Sequence, residues 1–319
     1  MNPVKEDRWS YLWPAIGALL FVIGNGRWTV PLAAWLWPVF MLRFTRTQRP
    51  VRGFIIASVI LMAGCTVQWS GIMKGPVFII LNAAMGMVLA ATFLIDRIIA
   101  PRFKGIVSTF VLPLAWTTME YLGSFGPFGS WGSLAYTQYG NLPLEQMVSV
   151  TGIYGITFLI AWLAAVVNAS WQDEFVWHKI RGIVVLYPGI LAMVLLLGGA
   201  RLAFFPVDSK TVRVASVVAP SGENIITMLS FRVVENGFSL VRCTCEGLTM
   251  TVDYQGRVLT ATDDFRNKEP VIISDVPVKG VPTPYSATGD LFAWLCCAGF
   301  VMIAAGALLR RKENERCTG

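Results

Sequence analysis

Charge is scarce in this chain, and histidine is almost missing. Only 14% of its 319 residues are Asp, Glu, Lys or Arg, and His178 is the single imidazole. Soluble domains carry about 25% charged residues, so an ordinary two-domain soluble protein is excluded. The six cysteines, Cys65, Cys243, Cys245, Cys296, Cys297 and Cys317, lack the paired spacing of a zinc ribbon. Neither a metal nor any other cofactor is expected. Cys65, Cys296 and Cys297 fall in apolar runs and read as small packing residues. Cys243 and Cys245 stand two apart on an expected strand and point the same way, where an oxidising compartment could act on them, but packing is again the preferred reading. The absence of internal repeats, heptads and low-complexity tracts removes solenoids, coiled coils and linkers.

What fills the chain instead is apolar. Hydrophobic residues make up 55% and mean hydropathy is +0.59. A hydrocarbon core roughly 30 Å thick needs about 20 apolar residues per helix. Stretches at 11–23, 29–42, 53–69, 76–95, 106–121, 147–167, 183–199 and 291–309 approach that length, the first two falling short. About eight transmembrane helices are predicted. The net charge of +7 follows from orientation. With alternate connections cytoplasmic, fifteen basic residues lie inside: Lys5, Arg8, Arg43, Arg46, Arg49, Arg52, Arg97, Arg102, Lys104, Lys179, Arg181, Arg310, Arg311, Lys312 and Arg316. The short outer loops hold only Arg27 and Lys74. This positive-inside pattern accounts for the basic balance, so no nucleic-acid partner is implied. The first apolar run reads as a retained span, because no small-x-small cleavage site follows it and Trp9, Trp13 and Trp28 suit interfacial anchors.

Between the last two spans the composition changes. Residues 212–218, 239–245, 249–254, 258–262 and 271–276 are rich in β-branched residues and bounded by Gly, Asn or Asp, as strands are. Ile225, Ile226, Leu229 and Val233 give 224–235 a helical spacing that stops at Gly237. The expected organisation is a membrane domain at 1–205 with seven helices, a small α/β extracytoplasmic domain at 206–288 with one sheet of about five strands, and a final helix with a basic cytoplasmic tail at 289–319.

Glu120 stands in or at the end of the fifth span, where an ionisable group is a candidate for function, although an interfacial carboxylate satisfied by water or backbone is an equal reading. The following stretch 123–140 (GSFGPFGSWGSLAYTQYG) has no Lys or Arg and is dense in Gly and aromatics, as a loop at headgroup level would be.

Several dispersed motifs then point one way. Glu120-Tyr-Leu, the run from Trp131 through Tyr136 to Gln138, and Thr151-Gly-Ile-Tyr154 up to Phe158 resemble the membrane part of the apolipoprotein N-acyltransferase family. Val212-Arg-Val-Ala resembles the first strand of that family's nitrilase-like domain. Phe231 to Gly237, Val241 to Gly247, Val252 to Arg257, Thr283-Pro284-Tyr285 and Gly289-Asp290 follow in the family's order. The resemblance implies a bacterial inner-membrane protein of lipoprotein biosynthesis. Its family reaction moves an acyl chain from phospholipid to the N-terminal Cys of a lipoprotein, through a Cys nucleophile with a Glu base and an oxyanion-binding Lys. Phospholipid and lipoprotein N-termini are the implied partners, and Glu120, Trp131, Tyr136, Gln138, Tyr154 and Tyr285 the candidate contacts.

The chain departs from the pattern in one place. The family's segment bearing Glu, Lys and Cys belongs between the first strand and the late helix, where Ala219 to Asn224 is all that intervenes. Glu223 there reads as a helix-start residue favoured by the dipole. Cys243 and Cys245 belong to another motif, and His178 is expected on the cytoplasmic side. No catalytic residue is therefore expected. The preferred reading is a truncated nitrilase-like sandwich, a pseudoenzyme that retains lipid or lipoprotein binding. An active enzyme with a relocated site and a nonfunctional remnant of an internally deleted gene stay open.

Overall fold

Pro31, Pro50 and Pro76 each open a helix, in Pro31–Thr47, Pro50–Gln68 and Pro76–Ile99. Their missing N–H falls where a helix has no acceptor for it, and their fixed φ already suits the first turn. The computed structural model that shows this describes residues 9–26, 28–70, 75–207, 210–217, 226–242, 248–263 and 271–318. The chain divides into two compact units.

The first unit is helical and takes residues 1–137, 157–190 and 293–319. Five helices of the chain are long and apolar enough to cross a membrane: Pro50–Gln68, Pro76–Arg102, Tyr154–Gln172, Trp177–Phe204 and Leu291–Arg310. Three expected spans look different. Leu12–Gly24 has 13 residues and Pro31–Thr47 has 17. The fifth breaks into Ile106–Thr109 and Val111–Gly123. Pro113 explains the break, because its ring would meet the Thr109 carbonyl if one helix ran through both pieces. At the centre, Trp37 lies edge-on to Phe21 and Phe93 at ring separations of 4.7 and 5.9 Å, and Trp116 packs against Trp37 at 5.3 Å. Helices Pro50–Gln68 and Pro76–Ile99 approach so closely that a Cβ on Gly86 would stand 2.4 Å from the Met62 amide nitrogen. Small residues at such crossings allow the backbone contact that drives helix association in lipid.

The second unit takes residues 138–156 and 191–292. Its five strands are β1 (Thr211–Val217), β2 (Leu240–Arg242), β3 (Leu248–Val252), β4 (Val258–Asp263) and β5 (Val271–Pro277). They form two antiparallel sheets where one was expected: β1 pairs β5, from Thr211 opposite Pro277 to Val217 opposite Val271, and β2, β3 and β4 form a meander. A short turn at 253–257 joins β3 to β4, whereas β1 and β5 are distant in sequence and find each other across the unit. The helix Ile226–Asn236 packs on β3, as expected, with Phe231, Val233 and Val234 buried. Residues 224 and 225 of the expected helix lie outside the described residues, as do Cys243 and Cys245.

Candidate functional site

In the first unit Glu120 is a hub. The Trp116 indole N–H, one turn earlier on the same helix, donates to its Oε1 at 3.2 Å, and the Leu134 amide donates to the same oxygen at 3.1 Å. The Ser133 and Thr157 hydroxyls each donate to Oε2 at 2.8 Å. A carboxylate has about four acceptor sites, and four donors fill them. The group thus fastens the Gly-rich loop to helices Val111–Gly123 and Tyr154–Gln172. Beyond it, the loop closes with the Ser130 and Tyr136 hydroxyls 2.7 Å apart, and Trp131 lies 4.2 Å from the Trp69 ring. Phe125 and Phe128 stay exposed.

Gln138, Tyr154 and Tyr285 belong to the second unit, where three of the sequence motifs meet. Helix Val148–Thr151 stops at Gly152, whose φ of +63° turns the chain. The next amide, Ile153, donates to Glu235 Oε1 at 3.1 Å, and the Arg232 guanidinium holds Glu235 Oε2 at 2.9 Å. The Thr283 hydroxyl donates to the Glu235 carbonyl and caps helix Pro284–Thr288, which delivers Tyr285. The Tyr285 ring lies against Gly152, where a Cβ would stand 2.7 Å from it, and its hydroxyl donates to Asp290 at 2.7 Å. Burial pushes the Glu235 carboxyl up to about 6, against the opposing pull of Arg232 and the Ile153 amide. Burial, then Glu235 and Asp290, push the Tyr285 phenol up. Gln138 and Tyr154 are buried.

A second junction in this unit escaped the sequence reading. Glu145 is fully buried on the short helix Leu142–Glu145 and accepts the Gly140 amide at 2.6 Å through Oε1. Burial pushes its carboxyl up to about 7, the Gly140 donor opposing the shift. Gly256, in the turn between β3 and β4, faces Glu145 Oε2 with room for no Cβ, and the neighbouring Gln146 side-chain amide donates to the Gln255 carbonyl at 2.9 Å. Asp253 Oδ1 shapes that turn by accepting the Gln255 and Arg257 amides, each at 2.9 Å. The available signal was a carboxylate among apolar neighbours, which also marks Asp96 in the run Phe-Leu-Ile-Asp-Arg.

Chemically, the Glu235 carboxylate is engaged by an amide and a guanidinium, and that of Glu145 by an amide. The free thiols among the described residues, Cys65, Cys296 and Cys297, sit in apolar helices. Neither junction pairs a thiol with a base among the described residues.

Residues 7–166 match the family model for the apolipoprotein N-acyltransferase N-terminal domain. An apolipoprotein N-acyltransferase of Geobacter metallireducens is 32% identical over 127 residues, covering 38% of this chain and 24% of the relative. Apolipoprotein N-acyltransferase 1 of Treponema denticola is 37% identical over 67 residues, covering 21% of this chain and 12% of the relative. The chain thus matches about a quarter or less of the length of these relatives.

Proposed function

The chain belongs to the apolipoprotein N-acyltransferase family, and from that premise we propose that it binds phospholipid and lipoprotein N-termini in the bacterial inner membrane without transferring an acyl chain. The observation that carries this reading is the passage from β1 to helix Ile226–Asn236 through residues 218–225 alone. The resemblance puts the family's Glu, Lys and Cys in a long segment at that point. The surrounding scaffold supports retained binding, since three separate family motifs meet there, Tyr285 packing on Gly152 and the Ile153 amide donating to Glu235. Lipid is met at the Gly-rich loop, whose exposed Phe125 and Phe128 suit the headgroup level. Glu120 sets that loop's shape, with Trp131 and the buried Tyr136 bracing it, while the buried Gln138, Tyr154 and Tyr285 support the binding surface of the second unit from within.

In this reading the chain crosses the membrane eight times. Leu12–Gly24, Pro31–Thr47 and the broken pair Ile106–Thr109 and Val111–Gly123 cross beside the five longer helices, and residues 206–288 form a shortened nitrilase-like domain outside. Purified protein incubated with phospholipid and a diacylated lipopeptide is expected to retain the lipopeptide and leave its amine free, by mass spectrometry. Loss of both catalytic partners costs on the order of a millionfold in rate. N-acylated product above the protein-free control would establish a relocated active site. Absence of binding by a folded protein would identify a remnant.

A further inference from the structure

One end of the helical unit opens into a cleft of about 2010 Å³ lined by five arginines and two carboxylates. The charges do not cancel within it. Asp96 is consumed by Arg46, which grips it through Nε at 2.7 Å and a terminal nitrogen at 2.9 Å, with side-chain exposures of 7% and 0%. That buried pair is the floor. Glu174 stands exposed at the rim.

Three further guanidinium groups, those of Arg49, Arg52 and Arg97, make no ion pair among the described residues and remain to face a ligand. Arg43 lies over the Trp171 ring at 4.6 Å and lines the cleft beside them. Arg97 Nε donates to the Gln48 carbonyl at 3.2 Å, and Arg52 touches the Tyr11 hydroxyl. Both partners are uncharged. Arg49 is exposed at the start of helix Pro50–Gln68.

The cleft is also amphiphilic. Val51 and Ile55, one turn apart on a helix able to cross a membrane, line it while 70% and 55% exposed, and Phe175 lines it at 58%. A free phosphate has no use for such a flank, whereas a phospholipid brings an acyl chain beside its phosphate.

We propose that this cleft holds the phosphate headgroup of an anionic phospholipid, with its acyl chains along Val51 and Ile55. Guanidinium groups suit phosphate oxygens because they present paired donors. The positive-inside pattern puts this end at the cytoplasmic leaflet. The inference rests on the cleft alone and is independent of acyl transfer.

The test is a thermal-unfolding titration of the full chain in a neutral detergent with short-chain phosphatidylglycerol, short-chain phosphatidylcholine or inorganic phosphate. Phosphatidylglycerol is expected to raise the unfolding temperature saturably, and the other two to leave it unmoved. The double variant Arg49→Gln/Arg52→Gln is expected to weaken the apparent affinity about tenfold or more, the scale of losing charge-assisted hydrogen bonds. Arg49→Glu, at an exposed position, provides a second variant with a loss in the same direction. Lys104→Gln removes a charge from an exposed residue outside the cleft lining and is expected to change affinity less than about twofold. Equal shifts with the two lipids, an equal shift with inorganic phosphate, or a loss in Lys104→Gln matching the double variant would each overturn the assignment.

Discussion

Glu120 and Glu145 are carboxylates satisfied in opposite ways, and the contrast sets what each substitution should do. Glu120 has four donors, two of them hydroxyls that can rotate and accept in turn. Glu120→Gln should therefore stay folded, whereas Glu120→Ala strands the donors and should cost about 2–4 kcal/mol in detergent unfolding. If Glu120→Gln alone abolishes lipid binding while its unfolding midpoint is unchanged, the charge serves a ligand and not the loop. Glu145 has one amide donor, and its Oε2 finds no hydrogen-bond partner among the described residues. Its carboxyl rises from 4.5 to about 7, so the folded state holds the proton more tightly than the unfolded one. The favourable contribution is complete below about 4.5 and is lost as pH rises to about 7. Glu235 adds the same sign over the narrower window from 4.5 to about 6. Stability should thus fall across this range by up to about 3 kcal/mol from Glu145. Glu145→Gln should flatten that slope, leaving the smaller Glu235 part, as unfolding midpoints at several pH values would show.

At the scale of elements, the turn at Gly152 is the most exacting join described. Its φ of +63° is left-handed, and the Tyr285 ring occupies the place of a side chain. Gly152→Ala should cost about 1–2 kcal/mol from the backbone alone, with more from the ring. Combining it with Tyr285→Ala should recover the ring's share and leave the backbone's, a coupling that a double-mutant cycle measures. The sequence made the motifs on both sides of this join visible but not their contact, because a pairing between residues 152 and 285 leaves no local periodicity. Strands were legible by contrast, since β-branched runs between turn residues are local. Even so, Thr249–Tyr254 lost its alternation: Thr249, Met250, Thr251, Val252, Asp253 and Tyr254 are all buried, so neither face is marked by polarity. The split into two sheets was illegible for the same reason as the Gly152 contact. The broken fifth helix was readable in principle, from Pro113 inside an apolar run.

For the whole molecule, the proposed topology turns on that broken helix. The pieces between Ile106 and Gly123 together span about 27 Å at about 1.5 Å per residue, close to a hydrocarbon core of roughly 30 Å. Pro101 and Phe103 line the same cleft as Trp171 and Gln172, so the chain leaves one end of the helical unit at 103 and is back there by 171. In the proposed topology helix Tyr154–Gln172 supplies one traverse of that return and 106–123 the other. From Arg52 to Asp263 that topology has five traverses: Pro50–Gln68, Pro76–Arg102, the broken segment, Tyr154–Gln172 and Trp177–Phe204. Without the broken segment the number is four. An odd number puts the two positions on opposite sides, and an even number puts them together. Reporter fusions after Arg52 and after Asp263 are expected to read cytoplasmic and extracytoplasmic respectively. The same side for both would mean that 106–123 does not cross, and that the basic residues near Arg102 and those near Lys179 face opposite leaflets.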